Sequence, residues 1–159
     1  MKKMTYTAIA ALFLTLSAGS IASEELKTTV IKSGDNQSFV GPEDYFTGQA
    51  NVDMLFKPAD DISASAAYVT FEAGARSAWH THPAGQRLIV TKGTGLTQEW
   101  GGPVQVIHEG DVVVCPPGVK HWHGASPDSA MTHIAITGDK DGKNVTWMEK
   151  VSDEQYNAK

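Results

Sequence analysis

Five of the six histidines in this chain lie in three short stretches. These are His80-Thr81-His82, His121-Trp122-His123 and His133. Residues two apart in a β-strand point to the same face, so each His-x-His pair presents two imidazoles to one side of a sheet. Neutral imidazole is a common ligand for zinc, copper, iron and nickel. Two such pairs, each beside Gly/Pro turn sequence, indicate a metal site inside a β-fold.

The alternative for these histidines is a solvated sheet face without a ligand. That placement would explain one pair, but each pair adjoins a large aromatic residue, Trp79 in one case and Trp122 in the other. Aromatic neighbours favour a buried face. His108 has no such context, and we expect it at the surface.

Short apolar segments cut by Gly and Pro must position these histidines. They are typical of antiparallel strands in a β-sandwich or barrel. The predicted strands are 64–71, 87–91, 104–107, 111–115, 131–137 and 145–148. The predicted turns fall at Gly93 with Gly95, and at 101–103, 109–110, 116–118 and 141–142. We therefore expect an all-β domain.

The two ends of the chain differ from this pattern. Ser152 and Gln155 have the spacing of a capping box, which predicts a short C-terminal helix. Residues 24–56 supply either edge strands or an arm that packs on a partner subunit. At the N-terminus, Lys2 and Lys3 precede an apolar run and then small residues. This layout is that of a secretory signal peptide.

We expect the signal peptide to be residues 1–22 and the single mature domain to be residues 23–159. The alternative, an uncleaved anchor, is disfavoured because a spanning helix needs about 20 apolar residues. The prediction is therefore an exported, periplasmic protein without stable membrane insertion after signal removal.

The composition excludes several classes of protein. The chain has 159 residues, of which 41% are hydrophobic and 19% charged, with a net charge of −5. It is neither disordered nor collagen-like, and an acidic chain is a poor partner for nucleic acid.

The single Cys115 permits no internal disulfide. Because it follows an apolar run, we expect a buried inert thiol rather than a nucleophile.

The glycine, proline and histidine spacing resembles the two motifs of the cupin family. The first motif is matched at Gly74, His80, His82, Gln86 and Gly93, and the second at Gly110, Pro116, Gly118 and His121. The resemblance implies a small jelly-roll β-barrel with a metal inside. Two positions depart from the general pattern, because Gln86 stands in place of Glu and Ala125 in place of Asn.

A closer resemblance, from about Phe39 to Tyr156, is to the bacterial cupin hydroxynitrile lyases, in which both departures become agreements. It rests on segments 78–83, 85–86, 88–91, 120–125, 131–133, 141–143, 147–149 and 153–156. The resemblance implies a manganese site, with Fe²⁺ or Zn²⁺ as other candidates. The implied ligands are His80, His82, Gln86 and His121. His123 and His133 are the implied acid/base groups.

A neutral His₃Gln ligand set leaves a divalent metal its full charge, which favours Lewis-acid chemistry over oxidation. The first hypothesis is therefore a lyase that converts α-hydroxynitriles into aldehyde and cyanide. The alternatives are a small-molecule dioxygenase or oxidase with iron in the same site, and a non-catalytic exported metal- or ligand-binding cupin.

Several further features of the site follow from strand alternation. Ala67, Val69 and Thr137 are expected to line a small, mostly apolar pocket for a small-molecule substrate. Arg87 should point away from the metal, towards a surface or an interface; if it reached the pocket, it would favour an anionic substrate. The family resemblance also implies a homo-oligomer, either a dimer or a tetramer.

Overall fold

Twelve strands and one short helix make up the regular structure of residues 27–158, the part of the chain that the computed structural model describes. The strands are β1 Ser38–Val40, β2 Phe46–Thr47, β3 Ala50–Phe56, β4 Ala64–Phe71, β5 Arg76–Ser77, β6 His80–Thr81, β7 Gln86–Glu99, β8 Gln105–His108, β9 Val112–Cys115, β10 His121–Ala125, β11 Met131–Gly138 and β12 Thr146–Trp147. The helix is α1 Asp153–Tyr156. The predicted signal peptide, residues 1–22, lies outside the described residues.

All strand pairs are antiparallel and form two curved sheets that share β7. The first sheet has the order β1-β3-β4-β11-β7-β9. The second sheet joins the far half of β7 to β8 and β10, and β10 pairs in turn with β5 and β6. β2 pairs with β5, and β12 pairs with β6. The predicted all-β class is confirmed.

The predicted turn at Gly93 and Gly95 is wrong, because β7 continues through both glycines from one sheet into the other. Gly93 has a φ of +78°, and a Cβ there would lie 2.0 Å from the Ala130 carbonyl oxygen. A Cβ on Gly95 would lie 2.6 Å from the Gly124 oxygen. These glycines permit close approach of neighbouring strands rather than a reversal of the chain.

Most of the remaining strand predictions hold closely. The segment 64–71 is matched by β4, and four others shift by one residue at one or both ends. The predicted strand 87–91 is only the first part of β7, which continues to Glu99. The four turns predicted beyond residue 100 are present. In the stretch 24–56, the structure places β1 at the edge of the first sheet and β2 at the end of the second. This confirms the edge-strand alternative for that stretch.

The core lies between the two sheets. Alternate residues of β11 are buried, namely Met131, His133, Ala135 and Thr137, and those between them are half-buried. Apolar side chains from β3, β4 and β7 pack against them, including Phe71, Leu88 and Val90. The core is therefore apolar at one end and contains histidines at the other.

The C-terminal residues cover the outer side of the second sheet. Trp79, Trp122 and Leu96 pack there against Val151 and Tyr156. The predicted capping box is confirmed: Ser152 Oγ accepts from the Gln155 N–H, and Gln155 Oε1 accepts from the Ser152 N–H. Within residues 27–158, no helix has the length and apolar character needed to cross a membrane.

Candidate metal centre

Strands β6 and β10 bring three histidines together inside the barrel. His80 lies directly opposite His121 in the ladder between them, and their ring centroids are 4.4 Å apart. His82 follows β6, with ring centroids 5.0 Å from His80 and 5.4 Å from His121. One ring nitrogen from each lies within 4.8 Å of the other two. We refer to these three residues as the histidine trio.

Backbone carbonyl groups orient each imidazole of the trio. In every case Nδ1 is hydrogen-bonded to a main-chain oxygen: Ala78 for His80 at 2.9 Å, Asn144 for His82 at 2.5 Å and Val119 for His121 at 3.0 Å. A ring whose Nδ1–H donates keeps an unprotonated Nε2. The Nε2 atoms of His82 and His121 are buried without a hydrogen-bond partner.

Gln86 offers a fourth buried donor atom at the start of β7. Its amide Nε2 donates to Thr137 Oγ1 at 3.0 Å, which fixes the orientation of the side chain. The amide oxygen Oε1 is buried and accepts no hydrogen bond. Buried polar atoms are rarely left unpaired, so these unpartnered lone pairs fit the donor set of a cation site. The donor set of the trio could hold a divalent metal ion.

Burial keeps the histidine trio in its neutral form. It lowers the pKa of His121 to about 4 and lowers the pKa of His82. Burial, together with the neighbouring imidazoles of His121 and His82, holds the pKa of His80 well below its ordinary value. Neutral imidazole is the form that binds metal, so the site needs little proton loss before binding.

His123 and His133 form a second group, which we call the histidine dyad. His133 Nε2 and His123 Nδ1 are hydrogen-bonded at 3.2 Å, and both rings pack on Phe71. The His123 ring centroid lies 5.2 Å from that of His80. Burial lowers the pKa of His133 to about 4. Burial, together with the neighbouring imidazole of His133, holds the pKa of His123 well below its ordinary value. Both members of the dyad are therefore neutral at physiological pH.

A cavity of about 340 Å³ opens beside both groups. His80, His82, Gln86 and His123 form its polar end. Its other walls are mostly apolar, and they include Val69 and Thr137 as predicted. Ala67 differs from the prediction, because it packs within the apolar core instead. His133 lies behind His123 and is in contact with the cavity only through it.

An aromatic wall faces the polar end, and sequence reasoning missed most of it. The Tyr45 and Trp147 rings stack at 4.8 Å, and Phe46 meets the edge of Trp147. The Trp147 ring also lies 4.9 Å from His80, its partner in the β6–β12 ladder. A predicted strand at 145–148 gave a signal for Trp147, but no periodicity marked Tyr45, whose loop is irregular.

Three further residues lie where the sequence predicts. Cys115 is a buried free thiol, and burial raises its pKa to about 11, so it is inert. His108 is exposed. Arg87 points outward from β7, away from the histidines, and its Nη1 donates to the Gln86 carbonyl at 2.9 Å.

Comparison with known proteins supports this fold. Residues 67–137 match the cupin domain family. An (R)-mandelonitrile lyase from Granulicella tundricola is 58% identical over 123 residues, which cover 77% of this chain and 94% of that protein. A cupin-like protein from Thermotoga maritima is 40% identical, with a TM-score of 0.70, over 81% of this chain and 95% of its own.

A polyketide cyclase from Streptomyces resistomycificus shares the fold at 13% identity, with a TM-score of 0.64 over 82% of this chain and 91% of its own. The jelly-roll barrel inferred from the sequence is thereby confirmed as the cupin fold. From its sequence matches, its topology and its buried histidine cluster, the chain belongs to the cupin family.

Proposed function

We propose that this protein is a metal-dependent lyase that cleaves α-hydroxynitriles into an aldehyde and hydrogen cyanide. The observation that carries the proposal is the histidine dyad beside the trio on one cavity, in a chain 58% identical to a mandelonitrile lyase. His80, His82, Gln86 and His121 would hold the metal, for which we propose Mn²⁺. A bound divalent cation supplies Lewis-acid activation of the substrate oxygen.

His123 is the proposed general base. Its Nδ1 is engaged by His133, so Nε2 is the atom available to a substrate in the cavity. When His123 Nδ1–H donates to His133, Nε2 carries a lone pair and can accept the substrate hydroxyl proton. As that proton leaves, the oxygen lone pair forms the aldehyde C=O bond, and the C–CN bond breaks.

The same residue returns the proton. The electron pair of the broken C–C bond leaves on cyanide, and protonated His123 donates its Nε2 proton to it, giving hydrogen cyanide. The dyad ends the cycle with the protons it began with. His133 supports this exchange because its Nε2 accepts from or donates to His123 Nδ1 as the tautomer changes.

The cavity favours a substrate with one apolar substituent. Its volume of about 340 Å³ lies at the small end of ligand sites, which span roughly 300–1,000 Å³. Val52, Val69 and Ala135 provide aliphatic walls, and Tyr45 with Trp147 provides an aromatic one. An aryl or short alkyl group fits these walls while the hydroxyl group faces the histidines.

The test is mandelonitrile cleavage by the purified protein, followed as benzaldehyde absorbance, with metal content measured by mass spectrometry on the same sample. We expect stoichiometric metal and metal-dependent benzaldehyde release. His123→Ala should lose the activity, whereas His108→Ala, an exposed histidine outside the site, should keep it. Metal without cleavage would refute the lyase proposal.

Two other functions for this site are distinguished in the same experiment. An oxidase or dioxygenase would consume oxygen when loaded with iron and none with manganese. A non-catalytic binding protein would hold metal without turnover of cyanohydrins, carbonyl compounds or phenols.

Export to the periplasm, with residues 1–22 as the signal peptide, is part of our proposal and is tested by N-terminal sequencing of the mature protein.

A further inference from the structure

Lys120 lies directly before His121 of the histidine trio, and its ammonium group contacts three side chains. Nζ pairs with the Glu149 carboxylate. It also lies 3.4 Å from the ring centroid of Trp100 and 5.4 Å from that of Trp79, so it stands over both indole rings. We call Lys120, Glu149, Trp79 and Trp100 the lysine clamp.

The exposure of Trp100 indicates that this residue has a purpose outside the core. Trp100 is 52% exposed, although tryptophan is on average a highly buried residue. It meets Trp79 edge-to-face, with ring centroids 4.9 Å apart, and Trp79 is itself only 1% exposed. The Trp100 ring carries the Lys120 ammonium in a favourable cation–π geometry. Trp100 therefore supports Lys120 rather than the core.

Main-chain hydrogen bonds repeat the side-chain contacts of the clamp. The Trp100 N–H donates to the Lys120 carbonyl at 2.9 Å, and the Trp79 N–H donates to the Glu149 carbonyl at 2.9 Å. Trp79 and Lys120 directly precede β6 and β10, Trp100 directly follows β7, and Glu149 comes shortly after β12. The clamp therefore fixes how the ends of four strands meet.

The histidine trio depends on the same strand ends. β6 has two residues, and in the described part of the chain it meets β10 at one ladder position, His80 opposite His121. β12 meets β6 at two positions, one of them Trp147 opposite His80, and the segment before β12 supplies the Asn144 carbonyl that orients His82. With so few ladder positions, the spacing of the three imidazoles depends on contacts made nearby. The clamp provides such contacts.

We propose that Lys120 is a positioning residue for the metal site, because its clamp with Glu149, Trp79 and Trp100 sets the spacing of the histidine trio. Lys120 acts from the outer side of the second sheet, where Trp79 packs, and it is not among the residues that line the cavity. The inference rests on the metal binding by the trio that we propose above, but not on the lyase reaction.

The charge of Lys120 makes the direction of the effect informative. An ammonium group near a cation site repels the cation, so simple loss of this charge would raise the metal affinity. Loss of a positioning contact lowers the metal affinity instead. Lys120→Met removes the charge but keeps a long apolar side chain against the indole rings, so it separates the two effects.

The experiment measures the dissociation constant of Mn²⁺ for the purified protein by competition with a chelator. We expect Lys120→Met and Glu149→Gln each to raise this constant about 10-fold, the lower end of the range for groups that orient a ligand. Lys120→Arg should restore most of the affinity, because arginine pairs with carboxylates and stacks on aromatic rings. The matched control is Lys92→Met, which removes the charge of an exposed lysine on β7 and should leave the constant unchanged.

Further measurements separate positioning from stability. The double variant Lys120→Met/Glu149→Gln should lose no more affinity than either single variant, because both changes break the same contact. The electron paramagnetic resonance spectrum of bound Mn²⁺ should change in Lys120→Met and return towards that of the wild type in Lys120→Arg. Urea unfolding of the metal-free protein should change little, because exposed ion pairs contribute little to stability.

Several results would overturn the proposal. They are an unchanged or higher Mn²⁺ affinity in Lys120→Met, additive losses in the double variant, and a loss of affinity matched by an equal loss of metal-free stability. Failure of the wild type to bind Mn²⁺ would overturn this proposal together with the proposed function. Reduced Mn²⁺ affinity in Lys120→Met, restored in Lys120→Arg, supports the proposal even if the protein does not cleave mandelonitrile.

Discussion

The five buried histidines fall into two groups that differ in what engages their ring nitrogens. Each member of the histidine trio gives its Nδ1 to a backbone carbonyl, so its proton is fixed and its Nε2 faces the other two. The histidine dyad differs, because His133 Nε2 and His123 Nδ1 bond to each other. Fixed tautomers suit metal binding, whereas a shared proton suits transfer. The environment, rather than the residue type, separates the two proposed roles.

The division does not follow the sequence motif. His80 and His82 both join the trio, but the second His-x-His pair is split, with His121 in the trio and His123 in the dyad. The two residues share a face of β10, with ring centroids 6.0 Å apart. The His-x-His spacing therefore predicts which side of the sheet an imidazole faces. Whether that imidazole joins the trio or the dyad depends on its neighbours in three dimensions.

The largest expected effect comes from breaking the trio. His121→Ala removes one of three imidazoles from a closed site, and we expect loss of bound metal and an approximately 1,000-fold or greater fall in mandelonitrile cleavage. Metal content by mass spectrometry and benzaldehyde release measure the two effects. Full metal occupancy in this variant would show that the metal binds outside the trio. His108→Ala is the control for the loss of a histidine outside the site.

Breaking the dyad should separate activity from metal. His123→Ala is expected to lower cleavage about 100-fold or more, within the range for acid–base groups, while metal occupancy stays near that of the wild type. The same two assays apply. Unchanged cleavage in His123→Ala would show that the dyad takes no part in the reaction. Loss of bound metal in this variant would show that His123 contributes to the metal site as well.

Sequence reasoning predicted which histidines come together better than it predicted their surroundings. The trio, Gln86 and the dyad lie close together inside the barrel, because cupin spacing and strand alternation fix which residues point inward. The sequence analysis named both His123 and His133 as acid/base groups of the pocket, but only His123 lines the cavity in the structure. Tyr45 was missed because loop conformation depends on tertiary packing, here a stack on Trp147.

Within the dyad, His123 lines the cavity and His133 does not, so substitutions of the two residues should lower activity by different amounts. Because His133 reaches the cavity only through His123, we expect His133→Ala to lower cleavage about 10-fold to 100-fold, less than His123→Ala does. As a positioning residue, it should also shift the pH profile of kcat while leaving KM nearly unchanged. An effect on KM alone would point to cavity shape rather than to the shared proton.

The amide of Gln86 provides a finer test of the trio. Thr137→Val removes the acceptor that fixes this amide while keeping the side-chain shape, so the Gln86 oxygen is no longer held towards the histidines. We expect about a 10-fold loss of metal affinity, as for other groups that orient a ligand. Metal competition with a chelator measures it. An unchanged affinity would argue that Gln86 is not a ligand.

The smallest expected effect is on stability, through the depressed pKa of His133. An unfolded histidine titrates at 6.5, whereas burial lowers the pKa of His133 to about 4 in the folded protein. Between these values the unfolded chain binds more protons, so the free energy of unfolding falls as the pH drops from 6.5 towards 4. One such histidine contributes at most about 1.4 kcal/mol per pH unit. Urea unfolding of metal-free His133→Gln should therefore show a shallower pH dependence than that of metal-free wild type, and equal slopes would mean that His133 is protonated in the fold.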